Sequence, residues 1–176
     1  MSPAVVRDTD LSIRPLRDDD HDYELLSRWL SDPRVLEFYE GRDSPLSLEA
    51  ARNEFSTQAM AEENNTPCII EYRNEPIGYL QLYPTDPPAW GLDQFIGLPE
   101  HWNHGLGTRT VSLMLRYLFQ VKLASKCVLD PHLTNLRAIR CYEKAGFRKV
   151  KLLPKHELHE GELRDCWLME TRPGGG

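Results

Sequence analysis

The stretch "FIGLPEHWNHGLGTRTVSLML", residues 95 to 115, constrains this chain more than any other. A β-rich run leads into Gly105-Leu106-Gly107-Thr108, and an apolar-periodic helix follows directly, with Val111, Leu115 and Leu118 on one stripe. Glycine at 105 and 107 lets the backbone come close to a ligand. The helix start offers unpaired N–H groups and a positive dipole end, which suits a pyrophosphate. It is not a Walker loop, because no Gly-Lys-Ser/Thr follows, nor a dinucleotide fingerprint, because the ribose-binding acid is missing at the expected spacing. Alone, the loop fits both an enzyme and an ordinary α/β domain.

The flanking segments set the fold class. "LSIRPL" (Leu11 to Leu16) alternates as a strand, and "RDDDHDYELLSRWLSDP" reads as a helix capped at Asp19 or Asp20 and ended by Pro33. "SLEAARNEFSTQAMAEE" reads as one helix starting after Ser47, with Leu48, Ala51, Phe55 and Ala59 on one face. "PCIIEYRNEPIGYLQLYP" is a hairpin about Arg73-Asn74-Glu75-Pro76, and "AWGLDQFIGLP" is a strand with Gly91 and Gly97 as points for a bulge or splay. The helix Thr108 to Gln120, the short strand "KCVLDP", the helix "NLRAIRCYEKAGF" closed by Gly146, and the strands "RKVKLLP" and "LRDCWLMET" complete the order β α α β β β α β α β β. A βαβα unit is thus attached to an antiparallel meander.

A length of 176 residues fits one domain, expected over 1–172, with 173–176 as a flexible tail. A net charge of −6 argues against a nucleic-acid partner and permits a cationic small molecule. No apolar run approaches the roughly 20 residues of a membrane span, and the start lacks a signal-peptide pattern, so a cytoplasmic protein without membrane contact is expected. Cys68, Cys127, Cys141 and Cys166 form no CxxC pair and sit in apolar stretches, as buried thiols of a reducing compartment do. His101/His104 and His156/His159 have HxxH spacing, but neither pair lies in an HExxH helix with an evident third ligand, so no metal is expected.

The helix "NLRAIRCYEKAGF" begins 30 residues after Gly105 and makes the combination specific. Trp102-Asn103-His104-Gly105-Leu106-Gly107 followed by Asn135-Leu136-Arg137-Ala138 through Tyr142 to Gly146-Phe147 resembles the GNAT superfamily of acyl-coenzyme A-dependent N-acyltransferases. One departure is Trp102, where that signature carries Gln or Arg. With "GLDQFIG", "VLDPHLTNLRAIRCYEKAGF", "VLEFYEGRD" and "LPKHELHEGELRDCWLME", the chain from about Ile13 to Arg172 resembles the aminoglycoside 6′-N-acetyltransferases, including the acetylating half of a bifunctional acetyl/phosphotransferase.

The resemblance implies an α+β, α/β/α-layered GNAT fold, with a mixed, mostly antiparallel, splayed sheet flanked by helices. It implies acetyl-CoA as cosubstrate, an aminoglycoside as acceptor and a monomer or homodimer. Coenzyme contacts fall on Phe95, Ile96, Asn103, His104, Gly105, Leu106, Gly107, Thr108, Asn135, Ala138 and Lys144. Asp93 stands at the reaction centre, where a carboxylate can hold an ammonium and accept its proton, and Tyr142 is the acid for the departing thiolate. The acceptor pocket falls on Glu37, Tyr39, Gln81, Asp93, Asp130 and Glu160. Two other readings stay open at this stage: an N-acetyltransferase of another amine, such as a protein N-terminus or a polyamine, and a non-catalytic acyl-CoA-binding regulatory module.

Overall fold

The computed structural model describes residues 6–174; positions 175 and 176 of the expected tail, and 1–5, lie outside the described residues. Strands β1 (Val6–Asp8) and β2 (Leu11–Pro15) lead into helices α1 (Asp20–Trp29), α2 (Pro33–Leu36), α3 (Leu48–Glu54) and α4 (Thr57–Glu62). A meander of β3 (Thr66–Tyr72), β4 (Glu75–Pro84) and β5 (Trp90–Ile96) follows. Helix α5 (Leu106–Gln120), strand β6 (Cys127–Leu129), helix α6 (Leu136–Lys144) and the hairpin of β7 (Arg148–His159) and β8 (Glu162–Thr171) complete the chain. The strands form one sheet in the order β1-β2-β3-β4-β5-β6-β8-β7, antiparallel except between β5 and β6. Among the described residues, no helix is long and apolar enough to cross a membrane.

One apolar cluster joins Leu80, Leu82 and Leu92 of the sheet to Val111, Leu115 and Leu118 of α5 and to Ile139 and Tyr142 of α6. The other joins Ile69, Tyr79 and Phe95 to Leu26 and Trp29 of α1 and to Ala51, Phe55 and Met60 around α3 and α4. Helices therefore cover both faces, and the α/β/α layering implied by the resemblance is the observed one. Strand alternation divides the residues between the layers: Leu92 faces α5 and α6, while Phe95 faces α1.

Local chemistry explains the boundaries. Asp19 caps α1 by accepting from the Asp22 N–H at 2.9 Å. The Asp22 carboxylate then takes two 2.8 Å bonds from the buried Arg14 guanidinium, tying α1 to β2. Pro33 does more than end α1: it opens α2 at its first turn, behind an Asp32 cap. The expected single helix over 47–63 is two helices. Phe55 closes α3, and the Ser56 hydroxyl accepts from the Ala59 N–H at 3.2 Å to start α4, so a local cap overrides the apolar period. The β3–β4 turn is tighter than expected, since Arg73 and Asn74 alone sit at φ 51° and 66°, and Glu75 and Pro76 already belong to β4. Strand β7 runs past Pro154 to His159, which an edge strand tolerates. Strand β1 had no expected counterpart.

Candidate active site

The splay lies where Gly91 suggested. Strands β5 and β6 pair only at Trp90↔Cys127 and Gly91↔Val128. A Cβ on Gly91 would lie 2.1 Å from the Tyr83 ring, so the close approach there needs glycine. Beyond it β5 stays paired with β4, while β6 is paired with β8. Two cavities open along this wedge, of about 260 and 460 Å³, and they share Phe38, Tyr39, Gln94, Asn135, Ala138 and Tyr142 as a common wall.

The first cavity is built on the glycine loop. Gly105 stands at φ 79° as the N-cap of α5, and no side chain caps this helix. The helix begins at Leu106, two residues before the expected Thr108, because the left-handed Gly105 turns the chain directly into it. The first-turn amides are thereby left for a ligand. A Cβ on Gly107 would meet Cys141 Sγ at 3.2 Å and Gln94 Nε2 at 3.6 Å, so the floor is closed on that side. Gln94 donates to the Gly107 carbonyl at 3.2 Å, while its buried Oε1 has no partner. Asn103, Gly105, Leu106, Gly107, Thr108, Asn135, Ala138 and Lys144 all line this cavity, with Arg137 and Arg140 adding positive charge. His104 is exposed and does not line it. Asn135 also caps α6, accepting from the Ala138 N–H at 3.3 Å. Trp102 stands where the resemblance expects Gln or Arg; its indole donates to the Ile96 carbonyl at 2.9 Å and stacks on Arg137 at 3.8 Å.

Phe95 and Ile96 contribute differently. Gly97 donates to Ile77 of the neighbouring chain segment at 2.7 Å, and β4 and β5 pair in regular register from Gly78↔Ile96 to Pro84↔Trp90. Backbone directions alternate, so the Phe95 N–H points into β4 and the Ile96 N–H points into the wedge. Phe95 is therefore not a free donor; its ring forms a wall, packed on Tyr39 at 4.6 Å and on Tyr79 at 5.7 Å.

The second cavity holds Asp93, Gln81, Asp130 and Tyr39 of the expected acceptor residues. Asp93 and Gln81 face each other across the β4–β5 ladder. Tyr79 donates to Gln81 Oε1 at 2.8 Å, which fixes the amide so that its Nε2 donates to Asp93 at 3.1 Å. Gln81, expected as a ligand for a substrate hydroxyl, is thus already committed to Asp93. Burial, then the nearby Asp130 charge, pushes the Asp93 carboxyl up to about 7, and the Gln81 bond opposes this. Asp130 is bonded to His156 at 2.7 Å. The Tyr142 phenol is raised well above its ordinary value, chiefly by burial, and so stays protonated. Burial pushes the Cys127 thiol up to about 12 and raises Cys141 as well, which disfavours either as a nucleophile.

Two expected acids lie elsewhere. Glu37 closes α2 and does not line the cavity. Glu160 takes bonds from Arg42 at 2.6 and 2.8 Å, and this partner holds its carboxyl down to about 2. It clips the loop after α2 to the β7–β8 turn. Sequence reasoning missed Glu40, Tyr83, His132 and Glu157, which line the second cavity. "VLEFYEGRD" and "KHELHE" contain Glu40 and Glu157, but no local spacing separates them from neighbouring acids.

A two-cavity wedge with an amide cradle on one side and carboxylates on the other is what acyl transfer from a nucleotide thioester to an amine requires. The chain belongs to the GNAT acetyltransferase family, whose domain profile matches residues 18–154. An aminoglycoside N(6')-acetyltransferase type 1 of Klebsiella pneumoniae is 34% identical over 142 residues, covering 74% of this chain and 71% of that one. A kanamycin resistance protein of Rhizobium radiobacter is 45% identical over 65 residues, 37% of this chain and 60% of that one. A solved structure of AAC(6')-Ib in complex with ribostamycin and coenzyme A is 29% identical, with a TM-score of 0.81 over 93% of this chain and 94% of that one.

Proposed function

We propose that this protein transfers the acetyl group of acetyl-CoA to the 6′-amine of aminoglycoside antibiotics, by direct attack, and so confers resistance. The observation that carries the reading is the second cavity: Asp93, Asp130, Glu40 and Glu157 gather in it, beside the amide cradle of α5. A polycationic sugar is complementary to such a set. The relatives named for aminoglycosides and kanamycin support the same acceptor class.

The first cavity fits the coenzyme, because its uncapped helix start, its closed Gly107 floor and its three cationic side chains suit a diphosphate. Acetyl-CoA supplies an activated acyl thioester when bound. The α5 amides hold the diphosphate, and Lys144, Arg137 and Arg140 add charge at the entrance. The Ile96 N–H faces the wedge as a donor for the carbonyl oxygen, on which negative charge develops. Asp93 holds the reacting ammonium and takes its proton, directly or through water, at a carboxyl that titrates near neutral pH. Tyr142, protonated at the shared wall, donates to the leaving sulfur. Asp130, Glu40 and Glu157 hold other ammonium groups. Acetylation replaces one ammonium by a neutral amide, which weakens attraction to ribosomal RNA. The reaction is assigned to the cytoplasm, where donor and drug target meet.

A steady-state assay with acetyl-CoA and kanamycin, following thiol release, tests the proposal. Turnover that depends on kanamycin and yields the 6′-acetyl product is expected. Thiol release only with a polyamine or a peptide N-terminus, or none with any amine, overturns it.

A further inference from the structure

At the rim of the second cavity the loop after β6 and strand β7 bring together three side chains, of which the proposed reaction uses only Glu157. His132 follows β6, Glu157 lies on β7, and His159 ends β7. Each offers one ligand atom, and these atoms lie within 4.8 Å of one another. Both histidines are buried, at 6% and 4% exposure, with their rings 4.6 Å apart. His132 Nε2 is 3.3 Å from a Glu157 carboxylate oxygen. His159 Nε2 lies 2.6 Å from the Glu37 carbonyl oxygen, a bond that requires the proton on Nε2. Neutral His159 therefore carries its free lone pair on Nδ1. A metal-bound imidazole is held in this way, its other nitrogen donating to a backbone carbonyl that fixes tautomer and ring angle.

We propose that His132, Glu157 and His159 form a site for zinc or a similar divalent transition metal, and that its occupancy blocks the acceptor cavity. Two imidazoles and one carboxylate are a donor set that zinc accepts, with a fourth position left for water. Tetrahedral zinc sets its ligand atoms about 3.3 Å apart. The His132–Glu157 pair already has this spacing, so a small movement of the third ligand completes the site. The HxxH pair at 156 and 159 plays no part as a pair, because His156 is taken by Asp130. His159 finds its partner in His132 across the sheet. A dication here occupies Glu157 and places positive charge in the cavity that Asp130 and Asp93 also line, the carboxylates that the acceptor's ammonium groups need. The site is therefore inhibitory, and the blocking part of the inference rests on the proposed acceptor.

Chelator-treated full-length protein is titrated with Zn²⁺ against a chromophoric competing chelator. One equivalent is expected to bind, with at least a tenfold loss of affinity in His132→Gln and in His159→Gln. His159→Gln keeps a donor for the Glu37 carbonyl and does not line the cavity, so it serves the kinetic arm. Zn²⁺ inhibits the unsubstituted enzyme competitively against kanamycin, and His159→Gln turns over normally but resists Zn²⁺. No stoichiometric binding, or both variants binding like the parent, overturns the metal site whether or not kanamycin is turned over. One-equivalent binding with inhibition that kanamycin does not relieve overturns the block.

Discussion

Asp93 gives the sharpest quantitative expectation, because its environment sets the enzyme's pH range. With a carboxyl at about 7, a tenth is ionised at pH 6 and nine-tenths at pH 8. The kcat/KM reports the free enzyme, so it falls about tenfold from pH 8 to pH 6 and about tenfold for each further unit. The acceptor amine also titrates, so one limb alone does not identify the base. Two substitutions separate the sources. Gln81→Leu removes a hydrogen bond to the ionised carboxylate, worth about 1.5 kcal/mol, and moves the limb up by about one unit. Asp130→Asn removes the like charge and moves it down. Asp93→Asn lowers kcat by about 10²-fold and flattens the limb. The assay is a kcat/KM profile between pH 5 and 9 in a constant-ionic-strength buffer. A limb that stays in place in both Gln81→Leu and Asp130→Asn, or survives in Asp93→Asn, refutes the assignment of the base.

The same group affects stability. Its folded carboxyl lies above its ordinary 3.8, so between about pH 4 and 7 the folded protein holds more proton than the unfolded chain, and the stability contribution falls as pH rises. Asp93→Asn is thus expected to raise Tm at pH 8 more than at pH 5, read by calorimetry; the reverse order contradicts the shift. Gly107→Val, crowding Cys141 Sγ and Gln94 Nε2, is expected to raise KM for acetyl-CoA about tenfold, on the scale of one lost charged hydrogen bond, with kcat little changed. Asp22→Asn leaves the buried Arg14 guanidinium with Glu71, at 3.3 Å, as its remaining carboxylate and is expected to cost about 3 kcal/mol in urea unfolding, whereas a cost under about 1 kcal/mol contradicts its structural role.

The residues that were legible in advance are those whose role is set by near neighbours. The Gly105–Thr108 turn, the Asn135 cap, the Asp19 cap and the α5 stripe each announce themselves within a few positions. Gly91 marked the splay because a residue without a side chain inside a strand implies close approach, and the Tyr83 ring is what approaches. The break at Ser56 was hidden because a hydroxyl cap competes locally with a period that runs on through it. Glu157 and His132 were hidden for a different reason: β8 pairs with both β6 and β7 and so brings them side by side at the cavity, and nothing near either residue encodes that. Glu160 was expected in the acceptor pocket, and its ion pair was not legible because the partner, Arg42, is 118 positions away.

The sheet's one parallel contact is two residue pairs long. In mechanical terms it is a short seam between two panels: one ends at β5, the other starts at β6, and α5 spans the join. A coenzyme held at once by the Ile96 edge and by α6 would stitch the panels together. Amide exchange along β6 and the β7–β8 hairpin is therefore expected to slow when coenzyme A is added, while the amides of β3 and β4 exchange at their former rate.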